Sequence, residues 1–201
     1  YLKAANAGMQ DTFGKSVAIS GDTIAVGAEG ESANQTTITN GTSASADNTA
    51  LSSGAVYVYE RGIVAPAAWS GQAYIKASNA ASYSSFGGSV GLSGNSLVVG
   101  SRAEDSGQTF VSNHSLSSVD LSANSAGAAY VYKRSQGLWA EEGYLKASNA
   151  GSSDLFGDKV AISGDRIMVG ARGEASAQTT ITQGPGASAD NSKPYSGAVY
   201  V

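Results

Sequence analysis

Six carboxylates recur in register along the 201-residue chain: Glu31 with Asp47, Glu104 with Asp120, and Glu174 with Asp190. Between each pair, Gln35, Gln108 and Gln178 also align, each followed by a threonine (Thr36, Thr109 and Thr179). Carboxylates set among Ser, Thr and Asn oxygens are hard donors, so calcium is the one metal this pattern suits. The spacing is too long for a compact calcium loop, and the two ends of each segment would have to fold back together. The same residues have an architectural use. Acids and hydroxyls that accept backbone N–H bonds pin a loop through Asx and Ser/Thr turns, and loops longer than about 12–15 residues need such anchoring. Both uses stand at this level.

Other chemistries find less footing. The chain contains no cysteine, which removes disulfides, thiolate nucleophiles and cysteine-based metal sites. His114 is the single histidine and occurs in one copy only, within a Ser/Asn-rich segment. No serine sits in a Gly-x-Ser-x-Gly elbow, and adjacent acids such as Glu104/Asp105 and Glu141/Glu142 read as ordinary exposed neighbours. The glycines fall at turn positions and form no phosphate-binding motif. A formal charge of −4 gives no basic surface for nucleic acid. The apolar stretch near Gly62–Trp69 is broken by Pro66 and falls short of a membrane span. Asn34-Gln-Thr, Asn40-Gly-Thr and Asn113-His-Ser are glycosylation sequons on expected surface loops.

What must position the acids is a repeat. Tyr1-Leu-Lys-Ala-Ala-Asn-Ala returns as Tyr74-Ile-Lys-Ala-Ser-Asn-Ala and Tyr144-Leu-Lys-Ala-Ser-Asn-Ala. Each is followed at fixed distance by Phe-Gly (Phe13, Phe86, Phe156), then by Val-x-Ile/Leu-Ser-Gly-Asp/Asn, and finally by Gly-Ala-Val/Ala-Tyr-Val. Val17 and Ile19 alternate with Ala18 and Ser20, and Ile24 and Val26 with Ala25 and Gly27, which predicts two strands. Gly21-Asp22, Gly94-Asn95 and Gly164-Asp165 supply the positive φ of a two-residue hairpin. A third strand is expected over Gly54–Glu60 and a fourth from about Gln72 to Ala77, with Trp69 and Trp139 leading in to cover the blade edge. Phe13, Phe86 and Phe156 are expected between blades, where the adjoining glycine allows close backbone approach. Tyr57, Tyr59, Tyr130, Tyr132 and Tyr200 read as sheet packing, and Lys3, Lys76 and Lys146 as guards on an edge strand. With charged residues at only 14%, the remainder is small and polar, as suits strands joined by long loops.

Phe-Gly, a hydrophobic hairpin and Gly-Ala or Gly-Ser after its second strand resemble the FG-GAP repeat of integrin-α-like β-propellers and of large bacterial surface proteins. The resemblance implies an all-β fold of tandem four-stranded antiparallel blades: 1–73, 74–143 and 144–201, the last without its final strand. Glu29, Arg102 or Arg172 stands where the family motif has proline, and the Asp-rich calcium loop of integrin-type blades is reduced here to a bare Gly-Asp hairpin. That calcium site does not carry over. The resemblance implies a non-catalytic, extracellular or cell-surface module with structural or adhesive work. Its alternatives are a filament subunit that completes strands head to tail, or a calcium-dependent binder of protein or glycan. Its partners would be other copies or neighbouring repeats. Three repeats are too few for a ring, so an open array is expected, with Tyr1–Ala4 an outer strand and the two ends at opposite extremes.

Overall fold

Glycine with positive φ closes each hairpin where the sequence places it. Gly21, Gly94 and Gly164 adopt φ of 57°, 57° and 60°, and Ser20 pairs with Thr23, Ser93 with Ser96 and Ser163 with Arg166 across the turn. The computed structural model describes residues 1–64, 66–113, 117–184 and 186–201; His114 lies outside the described residues. The hairpins are β1 (Ser16–Ser20) with β2 (Thr23–Ala28), β6 (Phe86–Ser93) with β7 (Ser96–Ser101), and β11 (Phe156–Ser163) with β12 (Arg166–Ala171). Onto them add β4 (Ala55–Arg61), β9 (Ala128–Ser135) and β13 (Ala198–Tyr200), then β5 (Trp69–Ile75) and β10 (Leu138–Leu145). Two-residue strands, β3 (Thr39–Asn40) and β8 (Ser112–Asn113), edge the first two sheets. The sheets run β1-β2-β4-β5-β3, β6-β7-β9-β10-β8 and β11-β12-β13, antiparallel throughout, none closed and with no helix among the described residues.

Four expectations need correction. The fourth strand is Trp69–Ile75, not Gln72–Ala77, because the chain leaves the ladder at Lys76 to bury that side chain. The lysines are therefore not edge guards: Lys76 and Lys146 are buried, and only Lys3 is exposed. Tyr1–Ala4 forms no strand, whereas its counterparts Tyr74 and Ile75 pair with β4. The tryptophans lie inside the fourth strands rather than before them. Trp139 is packed in the core between the first two sheets, and its indole donates to Gln72 at 2.9 Å.

The period-2 alternation gives each sheet two unlike faces. One carries the larger side chains, such as Val90, Leu92, Leu97, Val99, Tyr130 and Tyr132 of the second sheet. The other carries small or branched ones, such as Ala25, Val56, Val58 and Ala73 of the first, and these two sets form one core. The third sheet repeats the arrangement, with Val160, Ile162, Ile167 and Val169 on Val98 and Ala129 of the second. Phe86 and Phe156 sit buried at the two joints, edge-on to Tyr130 and Tyr200. The sheets approach so closely that backbone meets backbone. A Cβ on Gly27 would lie 2.0 Å from the Gly87 carbonyl oxygen, and one on Gly100 2.0 Å from that of Gly157.

These glycines allow an internal comparison. Gly170 occupies the same place in the third sheet, but a Cβ there would meet nothing closer than 3.7 Å. We expect Gly100→Ala to cost about 3 kcal/mol or more, since a fixed carbonyl must move. Gly170→Ala should be neutral or stabilising by up to about 1 kcal/mol through the unfolded state. Urea unfolding of the two variants checks the contrast, and equal effects would contradict it.

Candidate functional site

The recurring glutamate is buried in all three copies. Glu31 is 0% exposed. One of its carboxylate oxygens accepts from Lys76 Nζ at 2.7 Å and from the Ala33 N–H at 3.2 Å. The other accepts from the Tyr74 hydroxyl at 2.8 Å and Asn6 Nδ2 at 3.0 Å. Glu104 repeats the pattern with Lys146 at 2.9 Å, Asn79 at 3.1 Å and the Ser106 N–H at 3.2 Å. Glu174 has Asn149 at 3.1 Å and the Ser176 N–H and hydroxyl at 3.2 and 3.1 Å. Each asparagine is itself fixed from behind, its carbonyl accepting from Tyr57, Tyr130 or Tyr200 at 2.5–2.6 Å.

The segment Tyr74–Asn79 thus serves two sheets. Its front half, Tyr74 and Lys76, holds Glu31 of the first sheet, and its back half, Asn79, holds Glu104 of the second. Burial pushes the Lys76 and Lys146 ammonium groups below the usual lysine range, while the facing glutamates pull the other way. Burial, reinforced by Glu31, raises the Tyr57 and Tyr74 hydroxyls far above ordinary tyrosine; Tyr59 is raised by burial to about 12.

The aspartates stand elsewhere, on the surface. Asp47 accepts from the Asn34 N–H at 2.9 Å and from the Thr49 N–H and hydroxyl at 3.1 and 3.0 Å. Asp120 does the same with Gly107 and Ser122, and Asp190 with Ala177 and Ser192. The aligned glutamines donate to a carbonyl and a hydroxyl within their own loop, as Gln35 does to Thr37 and Thr39. The donor set does not suit calcium. The glutamate oxygens face N–H or O–H donors, with an ammonium besides at Glu31 and Glu104, where a dication needs several acceptor oxygens turned inward. Among the described residues there is no group of three or more His, Cys, Asp or Glu side chains placed to hold a metal. The sequon residue Asn40 is also committed: it bonds both the backbone carbonyl and the N–H of Trp139, at 3.2 and 2.8 Å.

Sequence reasoning found the acids and missed their partners. The signal was present in the invariant Tyr-x-Lys-x-x-Asn of the repeat, but a lysine beside an apolar strand reads as surface unless its glutamate is known to be buried. Two further inter-sheet bonds were equally silent: Arg102 pairs with Glu29 of the preceding sheet, and Ser16 donates to the Gly87 carbonyl at 2.8 Å.

An all-β array of like sheets, joined by backbone contacts and by connecting segments clasped to buried glutamates, defines a repeat protein whose recurrent polar residues are spent on its own architecture. The FG-GAP repeat model matches residues 1–59, 69–132 and 139–184, and the chain belongs to that family. The family is a structural repeat fold, found usually in extracellular or surface proteins and not known for catalysis. No curated protein matches the sequence.

Three outcomes follow from this site. Lys76→Met should destabilise by about 3–5 kcal/mol, because it leaves a buried carboxylate without its cation; chemical denaturation measures it. Saturating calcium at a hundredfold over a dissociation constant would add about 2.7 kcal/mol, worth several degrees in Tm. We expect no shift between calcium and chelator in a thermal melt. Backbone N–H bonds from Asn34 and Ala177, and the Ser122 hydroxyl, lower the carboxyls of Asp47, Asp190 and Asp120 below their ordinary 3.8. A depressed folded value means the stabilisation is present above that ordinary value and lost as pH falls through the lower folded one. Protection of the Asn34, Gly107 and Ala177 amides against exchange, relative to the intrinsic rate, should fall over that acid window, and Asp47→Asn should remove the pH dependence from its own loop.

Proposed function

We propose that this chain is a non-catalytic structural or adhesive repeat module of a surface or secreted protein. The observation that carries the reading is the fate of the recurring residues. The glutamate, asparagine, aspartate and glutamine of each unit, with Lys76 and Lys146, bond to one another, to nearby hydroxyls or to backbone, and that architecture accounts for their repetition. An active site draws unlike residues together, and the repeated glutamates instead each face an asparagine amide and a nearby backbone N–H in copy after copy. A hollow of about 190 Å³ lies beside Tyr57, Tyr59 and Tyr74. It falls below the usual size of a ligand pocket, about 300–1,000 Å³, and its tyrosine hydroxyls are already given to Asn6, Lys3 and Glu31. A calcium-dependent glycan or protein site draws no support from this donor set. Surface location is tested by protease shaving of intact cells that make the parent protein, with antibodies to this segment. Loss of the epitope under shaving is expected, and full protection with a cytosolic control would overturn it.

A further inference from the structure

We infer that the buried lysine and the asparagine gathered at an inter-sheet glutamate join as a side-chain amide, Asn79 to Lys146 across Glu104 and Asn6 to Lys76 across Glu31, with release of ammonia. Such a bond is made once within the chain and turns over no substrate, so it stands beside the non-catalytic reading. Four groups meet at each place: an amine, a carboxamide, a carboxylate between them and a hydroxyl on the amide oxygen.

At Glu104 the two carboxylate oxygens face the two nitrogens separately. Oε2 accepts from Lys146 Nζ at 2.9 Å, and Oε1 accepts from Asn79 Nδ2 at 3.1 Å. The carboxamide is held at its other positions too. Nδ2 donates to the Ser118 carbonyl at 2.6 Å, and Oδ1 accepts from the Tyr130 hydroxyl at 2.5 Å. Glu31 repeats every part, with Lys76 at 2.7 Å and Asn6 at 3.0 Å; Asn6 in turn meets the Ser45 carbonyl and the Tyr57 hydroxyl, both at 2.5 Å. The lysine and glutamate side chains are 0% and 5% exposed at the one place and 0% and 1% at the other, so bulk water is kept from both. The same burial pushes both ammonium groups below the usual lysine range, toward the free amine that attacks a carbonyl carbon.

The reaction balances within these groups. Glu104 takes one proton from the Lys146 ammonium, and the freed lone pair on Nζ adds to Cγ of Asn79. Charge develops on Oδ1, where the Tyr130 hydroxyl already donates. Glu104 then passes its proton to Nδ2, the Cγ–Nδ2 bond breaks, and ammonia leaves. A second proton from Nζ returns to Glu104 and leaves an amide N–H. Amine and carboxamide are held on the two oxygens of one carboxylate, so they meet without diffusion, and that carboxylate is placed to carry protons from one nitrogen to the other. The outcome exchanges a buried ion pair for an amide and a neutral carboxyl, and burial favours uncharged groups.

The intact mass of the purified chain tests this. We expect it to fall short of the sequence mass by one ammonia for each bond. Proteolysis and fragmentation should recover peptides joined through Asn79 and Lys146, and through Asn6 and Lys76. Asn79→Ala removes the reacting carbon at a half-buried position and strands no charge, so it should fold, as circular dichroism verifies. It should lose its own bond and keep the one at Glu31. Glu104→Gln cannot take the lysine proton and should have the same effect on mass. Tyr130→Phe should slow the appearance of the lighter mass after a pulse of synthesis by about a hundredfold. A chain that keeps its full sequence mass after prolonged incubation, at neutral and at mildly alkaline pH, would overturn the inference. So would loss of ammonia without joined peptides, or a bond from Asn79 to Lys146 that survives Glu104→Gln.

Discussion

Glu31 and Lys76 are both withdrawn from water and 2.7 Å apart, and the course of the chain around them follows from the cost of that withdrawal. An isolated buried charge is heavily penalised, so each must be met by the other and by enough hydrogen bonds to fill its remaining capacity. Lys76 accordingly also donates to Ser53 at 2.8 Å, and Glu31 takes Tyr74, Asn6 and the Ala33 N–H. Those partners come from the start of the unit, the loop after β2, the turn before β4 and the end of β5. One carboxylate thus ties together four stretches distant in sequence. The long segment between β2 and β4 has little apolar content of its own and is ordered from this point outward.

The second constraint is the distance between sheets. Two faces of large residues would keep the sheets near the ordinary ~10 Å spacing of stacked sheets. Here a large face meets a small one, and glycines at Gly27, Gly54, Gly100 and Gly127 let strands touch through their backbones. Gly54 would place a Cβ 2.0 Å from the Phe86 carbonyl, and it also carries a φ of 84°, so no other residue serves there. The Phe-Gly signature is therefore a statement about the joint. Phenylalanine fills the space beside the contact, and the glycines on either side remove the atoms that would prevent it.

Much of the fold was legible because its determinants are local. The Gly-Asp and Gly-Asn hairpins, the alternating strands and the Phe-Gly joints all announce themselves within a few residues. The site was legible only in part, because burial is not local. Glu31 and Asp47 look equivalent as aligned acids, yet one lies at the centre of a clasp and the other caps an exposed turn. Lys76 follows Ile75 on what alternation reads as a surface position. Nothing nearby in sequence reveals that its partner lies in the loop after β2. The end of β5 was misplaced for the same reason: the ladder stops at Ile75 because Lys76 is drawn inward, a tertiary demand that strand propensity does not record.

The clasp also has a direction. In each of the two connecting segments the lysine reaches the glutamate of the sheet before, joined by the tyrosine hydroxyl in the first, and the asparagine reaches the glutamate of the sheet after. A glutamate is complete only when an asparagine has come from its own unit and a lysine from the following connection, as for Glu31 and Glu104. Stability in such an array is a sum over neighbours, but here the terms are not interchangeable: the lysine is supplied from one side only. The one-sided supply of the lysine and the unlike faces of the sheets together give the array its polarity.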